Sequence, residues 1–201
     1  MKRLIVLCVA LLLAGGALAG APPAAPAAAP AAAALPGDSV YQLDLKLTGQ
    51  DGRTQPLAAR RGRAQLVTMF YTSCTMVCPM IVDTLKLTRQ AVDEPARDRL
   101  DVLAVSFDPE RDSVQALHDY AARRGLDASH WTLARAEPQD VRPLAALLGL
   151  QYRKRPDGDF NHSSELILLD AQGRIVARTD VIGRLDPAFV AAVRKTVAAA
   201  P

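Results

Sequence analysis

Gln65-Leu66-Val67-Thr68-Met69-Phe70-Tyr71-Thr72-Ser73-Cys74-Thr75-Met76-Val77-Cys78-Pro79 is the stretch on which the reading of this 201-residue chain turns. Through Tyr71 it is almost continuously apolar, the composition of a strand buried on both faces. Beyond Pro79, Ile81, Leu85, Thr88 and Val92 share one helical face. A buried strand therefore runs straight into a helix, and two cysteines sit at the join. Pro79 suits a helix start because the first turn has no use for its missing N–H.

Downstream, Leu100 to Phe107 is a second buried strand, and Asp112 reads as the cap of a helix through Ser113, Leu117, Tyr120 and Ala121 that stops at Gly125. Trp131-Thr132-Leu133 is a short strand, and Leu144, Leu147 and Leu148 line a helix ended by Gly149. Glu165 to Leu169 is a strand that turns through Asp170-Ala171-Gln172-Gly173 into Arg174 to Thr179. Asp186-Pro187 opens a last helix to about Val197. Upstream, Val40 to Leu47 alternates as a strand, and the Asp51-Gly52 turn returns it through Arg53 to Leu57 as a hairpin. Alternating strands and helices of this size give an α/β sheet with helices on both faces. The closing hairpin and helix give it the wiring of the thioredoxin-like fold, with an N-terminal β-hairpin extension.

The ends are different material. Met1-Lys2-Arg3, the apolar run Leu4 to Leu13 and Ala17-Leu18-Ala19 have the layout of a secretory signal peptide, residues 1–19, with a retained membrane anchor as the alternative. The apolar run is shorter than the ~18 residues a spanning helix needs, which favours cleavage. Cys8 lies inside it and would be lost. Residues 20–36 form an Ala/Pro-rich linker in which Pro22, Pro23, Pro26 and Pro30 break any alanine helix; as polyproline it would reach roughly 40 Å. Residues 37–201 make one domain. Without Lys2 and Arg3 the chain carries 22 basic and 21 acidic residues, a balance that gives no electrostatic footprint for nucleic acid. Arg60, Arg61 and Arg63 read as a solvated basic turn. The expected location is the periplasm or the outer face of the inner membrane, with membrane association through the N-terminus, and the expected state is a monomer.

In an oxidising compartment the remaining thiols, Cys74 and Cys78, must be bridged or used. A helix N-terminus favours the thiolate over a free thiol of pKa about 8.5. Residues four apart on a helix have β-carbons ~5–6 Å apart, whereas disulfides want ~3.5–4.5 Å. Cys74 and Cys78 can thus hold a metal between them, or close a disulfide if Cys74 lies in the loop. A loop this short would add only ~2 kcal/mol as a purely stabilising bridge, against ~4–5 kcal/mol for one of a hundred residues. That argues for use over structure, either as a redox pair or as ligands.

A third ligand would turn the reading toward metal. His162 stands in Asp159-Phe160-Asn161-His162-Ser163-Ser164, a loop before the strand Glu165 to Leu169, and such a loop approaches the first helix of a thioredoxin-like sheet. His118 and His130 read as surface residues. Two thiolates and an imidazole suit copper(I), where zinc would want a fourth ligand. Met76 and Met80 are further soft donors; Met76 is placed to touch a metal in transit, and Met80 reads as core packing.

Phe70-Tyr71-Thr72-Ser73-Cys74-x-x-x-Cys78-Pro79, then Ser106-Phe107-Asp108-Pro109-Glu110-Arg111-Asp112, then His162 before a hairpin strand, resembles the Sco/SenC family from about Val40 to Ala198. The resemblance implies copper bound as copper(I), and also as copper(II), through Cys74, Cys78 and His162. It implies a metallochaperone that helps assemble the binuclear copper centre of cytochrome c oxidase, with the oxidase copper-centre subunit and other copper carriers as partners. Glu110 and Arg111 would serve partner docking. Many members carry an acidic residue immediately before the histidine; Asn161 stands there in this chain. The competing reading is an envelope thiol–disulfide oxidoreductase in which Cys74 and Cys78 are a catalytic pair that reduces target cysteines before metal loading. A peroxidase-like role is a third, less natural for adjacent dithiols.

Overall fold

The computed structural model describes residues 34–199. The leader, Cys8 and all but the end of the Ala/Pro linker lie outside them. No helix among the described residues is long and apolar enough to cross a membrane.

The strand Ala64–Phe70 (β3) is buried at every position, so both faces of the sheet at its centre are covered. It pairs in parallel with Leu100–Ser106 (β4), in register from Ala64 opposite Leu100 to Phe70 opposite Ser106, and β4 pairs in parallel with Trp131–Ala136 (β5). On the other side of β3 runs Leu166–Leu169 (β8), antiparallel, followed by Ile175–Thr179 (β9). Lys46–Gly49 (β1) and Thr54–Pro56 (β2) make the N-terminal hairpin, with β1 antiparallel to β5. The sheet order is β2-β1-β5-β4-β3-β8-β9, a thioredoxin-like core extended by the hairpin. Val40–Gln42, expected as strand, is instead a turn of 3-10 helix: Ser39 caps it, and the Val40 N–H goes to the Gly173 carbonyl at 2.9 Å.

Four helices cover the sheet: Val77–Gln90 (α1), Val114–Arg123 (α2), Pro138–Leu147 (α3) and Pro187–Ala199 (α4). The advance β3 to β4 to β5 by right-handed crossovers places α1 and α2 on one face. Arg124, at the end of α2, accordingly reaches the Pro79 carbonyl at 3.0 Å and pairs with Asp83 on α1. α1 buries Cys78, Ile81, Val82, Leu85 and Thr88, the stripe its spacing demands. Asp186 accepts the N–H groups of Ala188 and Phe189 and so caps α4 as expected. In α3, Leu144 is buried while Leu147 is exposed.

One element has no counterpart in the sequence reading. Tyr152–Lys154 (β6) and Phe160–His162 (β7) form a separate antiparallel ribbon, Tyr152 opposite His162, outside the main sheet. His162 therefore ends a strand. Other expectations also change. The basic turn is more than solvated: Arg63 grips Asp101 through two nitrogens at 2.6 and 2.8 Å, and Arg60 donates to Gln65. His118 is exposed, as expected, but His130 is mostly buried, its Nδ1 3.2 Å from Asp101.

Candidate functional site

The carboxyl ends of adjacent parallel strands leave a crevice where the chain turns away, and the site forms there. Beyond β3 the chain runs Tyr71-Thr72-Ser73-Cys74; beyond β4 it runs Phe107-Asp108, tied back by the Phe107 N–H to the Phe70 carbonyl at 2.8 Å. β8 starts at the same end because it is antiparallel to β3: the Thr68 hydroxyl donates to the Glu165 carbonyl at 2.9 Å. Residues 162–165 must therefore arrive beside the cysteine loop.

Cys74 lies in the loop and Cys78 inside the first turn of α1, which starts at Val77, two residues before Pro79. Both thiols are free and buried. The Cys78 N–H, an unpaired donor of the helix start, points to the Cys74 sulfur at 3.3 Å. Burial works to raise the Cys74 thiol. Hydrogen bonds from the Cys78 backbone and side chain and from the Met76 backbone outweigh it, and the thiol stands below the ordinary range. Cys78 is the opposite case: burial pushes its thiol far up, and the neighbouring Cys74 and Asp112 add to this against one opposing backbone hydrogen bond from Tyr71. The two thiols are thus shifted in opposite directions, Cys74 toward easier ionisation and Cys78 away from it.

Asp112 builds the loop. Its carboxylate accepts the Thr72 N–H at 3.1 Å, the Thr72 hydroxyl at 2.5 Å and the Ser106 hydroxyl at 2.5 Å. It does not cap α2; Ser113 does, accepting the Ala116 N–H at 3.1 Å. Asp108 is also buried, paired with Arg111 and 3.8 Å from the Lys154 amine. Glu110 and Arg111 are exposed, Glu110 3.8 Å from Lys154 and Arg111 over the Phe160 ring at 6.0 Å.

His162 is half-buried between two rings, Phe107 with centroids 5.0 Å apart and Tyr71 edge-on at 6.0 Å. Its Nδ1 lies 2.9 Å from the Ser163 carbonyl. A carbonyl only accepts, so Nδ1 carries a proton, and in the neutral ring Nε2 keeps its lone pair, the tautomer a metal ligand requires. Tyr71 stands between the two halves of the site. Its ring touches His162, and its hydroxyl donates to Asp159 and neighbours Cys74. Burial, then these two partners, push the phenol far above its usual range. An acid thus lies two residues upstream of Asn161, joined to the site by the Tyr71 hydroxyl. Sequence reading passed over Tyr71 and Asp159; the only signal was the aromatic closing a buried strand next to a cysteine.

The donor set, two sulfurs and one free imidazole nitrogen, is soft and low in number, as copper(I) prefers. As the side chains stand, no group of three His, Cys, Asp or Glu among the described residues is gathered closely enough to hold one ion. Cys74 and His162 border the same tyrosine.

Comparison with known proteins gives these positions a setting. The SCO1 protein homolog of Bacillus subtilis (strain 168) is 26% identical over 133 residues, 63% of this chain and 67% of that protein. Among solved structures, Bradyrhizobium japonicum ScoI with copper bound is 23% identical, with a TM-score of 0.65 over 77% of this chain and 98% of the other. BsSco, a member of the Sco family of cytochrome c oxidase assembly proteins in which a disulfide switch was identified, is 19% identical, with a TM-score of 0.64 over 78% and 93% of the two chains. Identities this low establish the shared fold. The SCO1/SenC family model matches residues 34–198, the folded domain almost end to end, and on that match the chain belongs to the SCO1/SenC family.

Proposed function

We propose that this protein is an exported copper metallochaperone that takes copper(I) through Cys74, Cys78 and His162 and serves assembly of the binuclear copper centre of cytochrome c oxidase. The observation that carries the reading is the imidazole tautomer: Ser163 fixes Nδ1–H, which leaves Nε2 as an unshared donor at the same end of the sheet as two free thiols. A copper-bound relative of the same fold supports the choice of metal. Closing the site takes a shift of the β6–β7 ribbon that draws His162 past Tyr71 toward the sulfurs. The ribbon shares no ladder with the main sheet, so this costs no strand pairing there. Copper is cargo, and a three-donor site is one that an incoming ligand can enter to remove it.

The inequality of the two thiols favours a second activity. A Cys74 thiol that ionises more easily beside a Cys78 thiol that resists it is the arrangement of a dithiol reductant: Cys74 as thiolate attacks a target disulfide, and Cys78 resolves the mixed disulfide, leaving a Cys74–Cys78 disulfide and a reduced target.

Metal content of the reduced chain separates the two. We expect one copper(I) per chain in wild type, affinity reduced by about a hundredfold in His162→Ala on loss of a ligand, and no retention in Cys78→Ser. A competition titration in which His162→Ala holds copper as tightly as wild type, with Cys78→Ser empty, would refute the three-ligand site and leave thiol exchange.

A further inference from the structure

Four sulfur atoms fall within seven residues, at Cys74, Met76, Cys78 and Met80. The fold sorts them by exposure. Cys74 and Cys78 are 8% and 0% exposed, Met76 and Met80 79% and 48%. Met80, expected in the core, is about half exposed. The other exposed large apolar side chains among the described residues, Leu87, Leu147, Val176 and Leu185, lie between 39% and 46%. Met76 stands apart from all of them, and it is the residue midway between the thiols.

Met76 is the N-cap of α1 and Met80 lies four residues on, in its first turn. At that spacing two side chains leave a helix start on one side. The Met80 methyl reaches across to Gly183, where even a Cβ would stand only 3.3 Å from it. Gly183 is anchored by its N–H to the Thr84 hydroxyl at 2.8 Å. Burial makes no use of Met76, so packing gives no reason for a large apolar side chain there.

The buried sulfurs pose a problem of access. Cys78 offers no surface, and Cys74 offers little and already accepts a hydrogen bond. An ion held by a carrier in solvent has to be met by a donor that protrudes. Thioethers can meet it because they are soft, carry no proton to lose and prefer copper(I). They also bind more weakly than thiolates, so the ion moves on. We propose that Met76 and Met80 form a solvent-side landing site for copper(I), which holds the ion in transit to and from Cys74 and Cys78. The step is ligand exchange. Copper stays copper(I), the thioethers enter and leave unchanged, and each cysteine thiol that takes the ion releases its proton to water.

The inference deepens the copper reading above, and its test separates the two. Uptake of copper(I) from its bicinchoninate complex is followed by stopped flow for the reduced full chain and for Met76→Leu/Met80→Leu. Leucine keeps volume and apolar surface, so a role in apolar docking survives the change. Unchanged stoichiometry and affinity with uptake slowed about tenfold is the expected result; an unchanged rate overturns the landing site. Methyl NMR then examines Cys74→Ser/Cys78→Ser/His162→Ala with silver(I), a redox-inert probe of the same softness. The Met76 and Met80 methyl signals should move, and that of buried Met69 should not. Static Met76 and Met80 signals overturn the proposal even if uptake is slowed, because the methionines then touch the carrier and not the ion. Should wild type fail to retain copper(I) while both methyls still respond to silver(I), the three-ligand reading falls and the thioether site stands.

Discussion

Cys74 and Cys78 are four residues apart and chemically unequal. The sequence placed them at a helix start, where a thiolate is favoured. It held no sign that burial would prevail at one and hydrogen bonding at the other. A lowered pKa means a larger thiolate fraction at neutral pH, and a raised one means a thiol well into alkaline solution. Alkylation of the reduced chain by iodoacetamide should therefore modify Cys74 first, with a pH midpoint lower than that of the same chain after unfolding. Cys78 should react only under denaturing conditions, and peptide mapping reads both. Equal rates at the two sulfurs would contradict the hydrogen-bonded arrangement. Asp112 shows the limit of local reading. Asp112 and Ser113 are both capping residues, and which one caps is settled by Thr72 and Ser106, groups 40 and six residues away in sequence that claim the carboxylate. Asp112→Ala strands the buried Ser106 hydroxyl and two part-buried Thr72 donors and should cost about 2–3 kcal/mol in denaturant unfolding; a cap alone would cost about 1 kcal/mol.

The β6–β7 ribbon is where sequence reading lost the chain. Strands of three residues are too short for alternation to register, and Arg155-Pro156-Asp157-Gly158-Asp159 between them reads as loop. What holds the ribbon is aromatic packing: Tyr152 stacks on Phe107 at 4.9 Å, and Phe160 meets Tyr71 at 5.1 Å. By contrast β3, β4 and β8 were legible because each is a continuous apolar run that only a buried strand explains. The two kinds of attachment should differ in dynamics. Amides of Tyr152–Lys154 and Phe160–His162 should exchange with deuterium at least about tenfold faster than those of β3 and β4. Copper(I) should slow the ribbon and leave the central strands alone; equal protection in the two regions would mean that His162 cannot be delivered by ribbon motion.

The element order announced a thioredoxin-like architecture because each strand and helix is long enough to show its period. The convergence of His162 on the cysteine pole followed from β8 being antiparallel to β3. The final placement of these side chains did not follow, since it depends on rings packing against one another. The signal-peptide reading is a statement about the exported product. Mass spectrometry of the mature protein should find it beginning near Gly20, and an intact Met1 would speak for a retained anchor.

Ser39 bridges to Arg174, its hydroxyl donates to the Gln172 carbonyl at 2.6 Å, and Asp38 pairs with Arg174 at 3.0 Å. That turn follows Leu169, which lies opposite Gln65 at the beginning of β3, while the sulfurs lie past its end. The polypeptide thus enters the domain at the antipode of its thiols. A tether or label joined at residues 34–38 would therefore stand clear of the sulfurs and leave their pole open to a visiting molecule.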